Sequence, residues 1–214
     1  MTPSPATASV GAPDPAAPFI RDTVQWLEKA VIGLNLCPFA KGVHVKGQIH
    51  YAVTLTEDAS EVLALLRSEL AALESASAEV RDTTLLILPN CLQDFLDFND
   101  FLAEAEALLD AMGLSGSLQI ASFHPQFQFA GTQADDVTNC TNRAPYPTLH
   151  LLREESIDRA VAVFPEAETI FERNMEALEA LGLQGWQALG VGPSVPGPQA
   201  STASAASTPE GVAR

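Results

Sequence analysis

Apolar side chains recur at helical spacing at Ile20, Val24, Leu27, Val31 and Leu34, and Gly33 with Asn35 supplies a stop. The chain therefore opens with a helix that leads directly to Cys37. Residues 49–55 are β-branched and aromatic enough for a strand. Asp58, followed three residues later by Glu61, resembles a capping box, and the helix it opens carries Val62, Leu65, Leu66, Leu70 and Leu73. Thr83 begins a short apolar run stopped by Pro89, as expected of a buried strand. Phe95, Phe98, Leu102, Ala105, Leu109 and Met112 then mark a long helix closed by Gly113, and residues 117–123 supply a third strand.

Strand, helix, strand, helix, strand is the pattern of two crossover units joined by right-handed connections. It predicts an α/β fold: a single domain with a three- to four-stranded, mostly parallel sheet, flanking helices and a long polar loop. The loop covers residues 123–147, residues 148–152 offer a fourth strand, and two helices follow around 157–164 and 169–181. A loop of that length inside a compact domain is more often functional than idle.

Composition sets the ends. Residues 1–18 are rich in Pro, Ala, Ser and Thr, and residues 187–214 repeat that character from Gly190 onward. Neither stretch has enough large apolar side chains to offset its ordering entropy, so both are predicted to be disordered tails around a domain at 19–186. With 214 residues and 47% hydrophobic content, one core is well supplied and two would be starved. The first segment lacks the charged start and apolar centre of a secretory signal, and no apolar run approaches the roughly 20 residues that span a bilayer. A cytoplasmic protein with reduced thiols is expected from this and from the odd count of 3 cysteines.

The formal charge of -16 works against nucleic acid or an anionic membrane as partner. The acids are unevenly placed, however. Residues 29–56, 111–134 and 137–153 contain no carboxylate, yet they hold all 4 histidines (His44, His50, His124, His150) with Cys37, Lys41, Lys46 and Arg143. A small anionic molecule in a locally basic pocket is compatible with that segregation, and a protein partner is also compatible with the acidic helices.

In open α/β sheets ligands bind beyond the carboxyl ends of the strands. That rule selects His124, which follows the third strand, with Gln126 and Gln128 behind it and Thr138, Asn139, Asn142 and Arg143 in the loop. Arg143 suits a carboxylate or phosphate; the bland reading is a loop bonded internally for its own sake. Pro38 favours a helix start after Cys37, where backbone N–H groups would stabilise a thiolate; the bland reading is a buried thiol beside Phe39. No histidine pair shows a recognised ligand spacing, so no metal site is predicted and the cofactor is left open.

Cys37-Pro38-Phe39 resembles the active-site start of glutaredoxin-like and omega-type glutathione transferase proteins, with Ala40 where a dithiol motif has its second cysteine. That likeness implies a monothiol redox role. A longer likeness rests on Val31-Ile32-Gly33-Leu34-Asn35-Leu36-Cys37-Pro38-Phe39-Ala40, on His44-Val45-Lys46-Gly47 and on Ser122-Phe123-His124-Pro125. It continues through Gln128-Phe129-Ala130-Gly131-Thr132, Thr141-Asn142-Arg143-Ala144-Pro145-Tyr146-Pro147 and Leu149-His150-Leu151-Leu152-Arg153. In these the chain is similar to the family catalogued as domain of unknown function 1415, which occurs mainly in bacteria. The resemblance implies no reaction, and because that family often has an aromatic residue at the position of Cys140, it weakens Cys140 as a functional thiol.

The reading that follows is a small-molecule enzyme with a locally basic pocket for an anionic ligand. Cys37 is its candidate nucleophile and His124 its acid or base, with Lys41, His44, Lys46, Gln128, Asn142, Arg143 and His150 as ligand-binding residues. The alternatives are a noncatalytic adaptor that offers its acidic helices to another protein, and a monothiol redox or metal-handling protein.

Overall fold

Two aspartates start the helices that build the first layer. The Asp58 side chain accepts a hydrogen bond from the Ser60 N–H at 2.8 Å and opens α3 (Ala59–Ser75), following α1 (Ala17–Trp26) and α2 (Ala40–Val45). The capping box expected there is relayed: Glu61 accepts from the Thr56 hydroxyl at 2.5 Å, and Thr56 Oγ1 accepts from the Asp58 N–H at 3.1 Å. Asp94 caps α4 (Phe95–Ala111) through the N–H groups of Leu96 and Asp97. The structure, a computed structural model, describes residues 14–163 and 169–195.

The strands are β1 (Ile49–Val53), β2 (Thr83–Ile87), β3 (Leu118–Phe123) and β4 (Thr148–Arg153), in the order β1-β2-β4-β3. β1 and β2 pair parallel, but β4 enters between β2 and β3 and pairs antiparallel with both. The sheet is therefore mixed, not mostly parallel as the strand and helix alternation predicts. Apolar periodicity identifies a strand without giving its direction. No α-helix lies between β3 and β4, so the chain returns beside β3 without a crossover, as an antiparallel neighbour can.

Strand alternation gives the sheet two unlike faces. On one, Leu86, Leu88, Leu149 and Leu151 meet α3 and α4 through Leu66, Leu70, Phe98 and Phe101, all buried. On the other, Phe19 of α1 and Tyr146 cover Leu85 and Ile87, while Trp26 packs edge-on to Phe123 with ring centroids 5.1 Å apart. α1 continues into a π-helical segment, Leu27–Ile32, in which the Gly33 N–H bonds to the Glu28 carbonyl at 3.0 Å and the Leu36 N–H to that of Val31 at 2.9 Å. The predicted first helix is thus widened at its end, and this wider turn releases the chain toward Cys37.

Between β3 and β4 a 3-10 helix, Val137–Asn142, packs against the last helix, α6 (Ile170–Ala188), which bends at Gly182 where φ is 66°. α5 (Glu154–Val163) begins directly after β4, earlier than its apolar pattern suggests, and Phe164 lies outside the described residues. Residues 189–195, assigned by composition to a tail, are held against α1. The buried Asp22 carboxylate accepts from the Ser194 N–H and hydroxyl at 2.7 Å each and from the Tyr146 hydroxyl at 2.6 Å, and Val191 is buried beside Trp26. Hydrogen bonds to a buried carboxyl group do here what large apolar side chains do elsewhere. Residues 17–18 of the predicted first tail belong to α1 and residues 187–188 of the second to α6, while residues 1–13 and 196–214 lie outside the described residues.

A Cβ added at Gly33 would be driven into the Lys29 carbonyl oxygen, which is backbone and cannot swing aside. Gly33→Ala is expected to cost on the order of 2 kcal/mol in urea unfolding, as overpacking does; a loss within about 0.5 kcal/mol, the scale of a neutral surface change, would show that the π-turn relaxes freely.

Candidate functional site

The face opposite α3 and α4 is incompletely covered. Over its amino-edge half lies a cavity of about 840 Å³, floored by Leu85, Ala121, His150 and Leu152 and walled by Trp26 and Val31, by residues 37–40 with Gly42, Val43 and Lys46, and by α5. Its walls are largely apolar. All three acid-free stretches reach it: Cys37 and Lys46 from the first, Gln119 and Phe123 from the second, His150 and Arg153 from the third.

His150 stands in the middle of β4, paired with Leu85 on one side and Ala121 on the other. The side chain is half-buried and faces the cavity, so a protein hydrogen bond is not obligatory. Among the described residues it has none. Its one ring contact is Phe123, with centroids 6.0 Å apart. Burial pushes the ring down to about 4, from an ordinary 6.5, with no opposing charge or hydrogen bond to hold it up. At neutral pH the floor of the cavity therefore carries an uncharged imidazole with both ring nitrogens free.

Cys37 lines the same cavity. The backbone N–H groups of Phe39 and Ala40 draw its acidity in the expected direction, but burial outweighs them and the thiol is pushed up. The sequence-based expectation of a stabilised thiolate is not met: α2 is six residues long and starts at Ala40, too short and too late to supply a strong N-terminal field. No hydrogen bond joins Cys37 to His150.

The polar lining gathers at one end. Gln48 precedes β1, Asp82 precedes β2, Gln119 lies at the start of β3, Arg153 ends β4, and Ser156 and Arg159 lie on α5. This is the amino edge of β1, β2 and β3, not the carboxyl edge chosen by the strand-end rule. Arg153 donates to the carbonyls of Leu73, Ala76 and Arg81, so it closes the end of α3 while its charge meets no carboxylate in direct contact. Arg159 bonds to Glu155 at 2.8 Å and to the Ser156 hydroxyl at 2.9 Å; Lys46 pairs with none of the described residues. Glu79 and Asp82 also line the cavity, and Asp82 accepts from the Ser156 hydroxyl at 2.6 Å.

The residues selected from the carboxyl edge are elsewhere. His124 is fully buried, its Nε2 3.2 Å from the Leu92 carbonyl and its Nδ1 accepting from the Gln126 N–H at 3.0 Å, with Phe95 and Phe98 against the ring. No nitrogen is left for a substrate, which corrects its reading as acid or base. Arg143 donates to the carbonyls of Phe127 at 3.1 Å and Ala134 at 2.6 Å, Asn142 to that of Ser122 at 3.3 Å, and Gln128 to that of Thr132 at 2.6 Å. Buried Asn139 ties the loop together, accepting from the Phe129 N–H and the Thr132 hydroxyl and donating to Gln133. The loop's polar groups thus bond chiefly to one another. Arg143 and Gln128 also line a second, more open depression of about 520 Å³ beside Asp94, which includes neither Cys37 nor His150. Lys41 is exposed on α2, and His44 meets Glu28 at 3.1 Å, an acid from the π-helical segment that sequence distance hid.

A family model described as protein of unknown function, DUF1415, matches residues 18–188. The chain belongs to the DUF1415 family. Every residue lining the large cavity falls inside the matched span. No curated protein and no solved structure matches the chain.

For this DUF1415 chain, sequence reasoning missed the amino-edge group: Gln48, Gln119, Arg153 and Arg159. One signal for it was legible, a histidine in the middle of the apolar run Leu149-His150-Leu151-Leu152. Among the described residues no group of three His, Cys, Asp or Glu side chains is placed to hold a metal ion.

The folded state resists a proton on His150 that the unfolded chain accepts. Its contribution to stability is therefore full above about pH 6.5 and is lost as pH falls from there toward about 4. Urea unfolding at about pH 7 and about pH 5 is expected to show a loss smaller by on the order of 1 kcal/mol in His150→Leu than in wild type. Equal losses in the two proteins would mean that the ring is not held neutral by burial.

Proposed function

We propose that this protein binds a small organic anion in the cavity over His150, as a small-molecule enzyme would hold its substrate. The observation that carries the reading is the partnerless imidazole on the floor of a largely apolar cavity. A polar group without a protein partner, here a half-buried ring open to the cavity, is satisfied by water or by a ligand. The free charge of Lys46 and the carboxylate-free contacts of Arg153 support an anion in a chain whose overall charge is -16.

In this reading His150 supplies a hydrogen bond to the ligand, as donor or acceptor according to tautomer. As a base it would be weak, since a group titrating near 4 takes up little proton at neutral pH. Cys37 offers a protonated thiol with no hydrogen-bonded base to activate it, so the arrangement favours recognition over nucleophilic attack. The adaptor alternative draws little support: on α3 and α4, Leu96 is the one large apolar side chain that is strongly exposed among the described residues.

The test is a thermal-shift screen of organic anions with wild type, His150→Gln and Ala121→Leu, the last filling the cavity from its floor. At least one anion is expected to raise the melting temperature of wild type by about 2–4 °C, and Ala121→Leu should abolish the response. An anion that stabilises all three proteins equally would be binding elsewhere, and a screen with no stabilising anion would remove the proposal.

A further inference from the structure

The cavity is polarised, and its two ends ask for different chemistry. At the inner end Trp26, Val31, Ala121 and Phe123 meet, with His150 and Cys37 as the polar groups among them. At the outer end, the amino edge, stand Lys46, Gln48, Gln119 and Arg153, with Ser156 and Arg159 of α5; Glu79 and Asp82 share that end, Asp82 bonded to Ser156 and Arg159 to Glu155, which leaves Lys46 and Arg153 as the cations without a directly bonded carboxylate. A sugar or polyol body at the inner end would bring several hydroxyls to walls that offer one imidazole and one thiol, and each hydroxyl left without a partner would cost binding. An apolar body loses nothing there and gains from leaving water. At the outer end the order reverses, because an apolar tail would strip water from two cations that have no carboxylate in direct contact.

We infer that the ligand is an amphiphilic monoanion, a carboxylate on an aliphatic or aromatic body. The body lies between His150 and the Trp26–Phe123 pair, and the carboxylate faces Lys46 and Arg153. This assignment rests on the preceding reading that the cavity takes an organic anion, and it adds the nature of the body and its direction. The size fits: about 840 Å³ is at the upper end of small-ligand pockets and has room for a body of roughly ten carbons. Lys46 acts as a rim charge and Arg153 as a fixed one, since its guanidinium is already set in place by the carbonyls at the end of α3.

Calorimetric titration of the full chain with octanoate, acetate and glycerol 3-phosphate separates the parts of this claim. Octanoate is expected to bind at least about a hundredfold more tightly than acetate, as the burial of several methylenes implies, and glycerol 3-phosphate no better than acetate. Lys46→Gln should weaken octanoate by roughly threefold, the scale of an exposed ion pair. Ala121→Leu, and Ala160→Leu as a second filling variant from α5, should each weaken it by about tenfold or more. If glycerol 3-phosphate binds as tightly as octanoate and is lost on filling the cavity, the apolar body is wrong while the organic-anion reading stands. Octanoate binding that neither filling variant alters overturns the placement. If none of the three anions binds, the amphiphilic assignment falls, and the organic-anion reading is decided by the thermal-shift screen.

Discussion

Strand β4 lies inside the sheet and is mostly apolar, so cover for its side chains is the constraint, although antiparallel pairing itself allows one face to meet water. On one face the constraint is met by close packing: Leu149 and Leu151 are completely buried against the layer of α3 and α4. On the other it is met at one end, where Thr148 is buried and donates to the Tyr146 carbonyl at 2.9 Å. Beyond Thr148 the cover thins, and His150 and Leu152 face a cavity in place of a helix. The rest of the site follows from that half-covered face. The π-helical segment, the Cys37 turn and α5 are its walls, and the chemistry is set by which residues of β4 alternate onto it.

Charge is arranged around the same geometry. Antiparallel entry of β4 carries its last residue, Arg153, to the amino edge of β1 and β2, where the carbonyls at the end of α3 are open. One side chain thereby closes a helix and leaves a cation at the mouth of the cavity. Had β4 run parallel to its neighbours, that arginine would have lain at the carboxyl edge, near the loop of His124 and Arg143. The strand's direction thus decides which edge is basic. At the opposite edge Arg143 has its own carbonyl partners, and the second depression contains Asp94 beside it.

Much of the scaffold was legible from one-dimensional signals because those signals are local. Asp58 acts as an N-cap where the pattern puts it, α4 starts at Phe95 as its apolar spacing predicts, and the all-buried β2 is the apolar run before Pro89. Strand order and direction were not legible, since they depend on how β4 returns, and residues 189–195 were not, since Asp22 and Ser194 meet across 172 positions. For the site, the absence of acids from three stretches pointed to segments that do meet, yet the individual residues chosen from them were mixed. Cys37, Lys46 and His150 come together; His124 and Arg143 turn away into the loop's own hydrogen bonds. The strand-end rule misled because it was written for parallel sheets open at their carboxyl edge, and here the loop fills that edge.

The account turns on His150 as an uncharged ring that bonds to none of the described residues and faces the cavity. Nitrogen-detected NMR of the His150 ring, followed across pH and then on addition of octanoate, tests it most directly. The account predicts a ring that stays neutral until about pH 4 and whose nitrogen signals move when octanoate is added. A ring that titrates near its ordinary 6.5 and is indifferent to octanoate would contradict it.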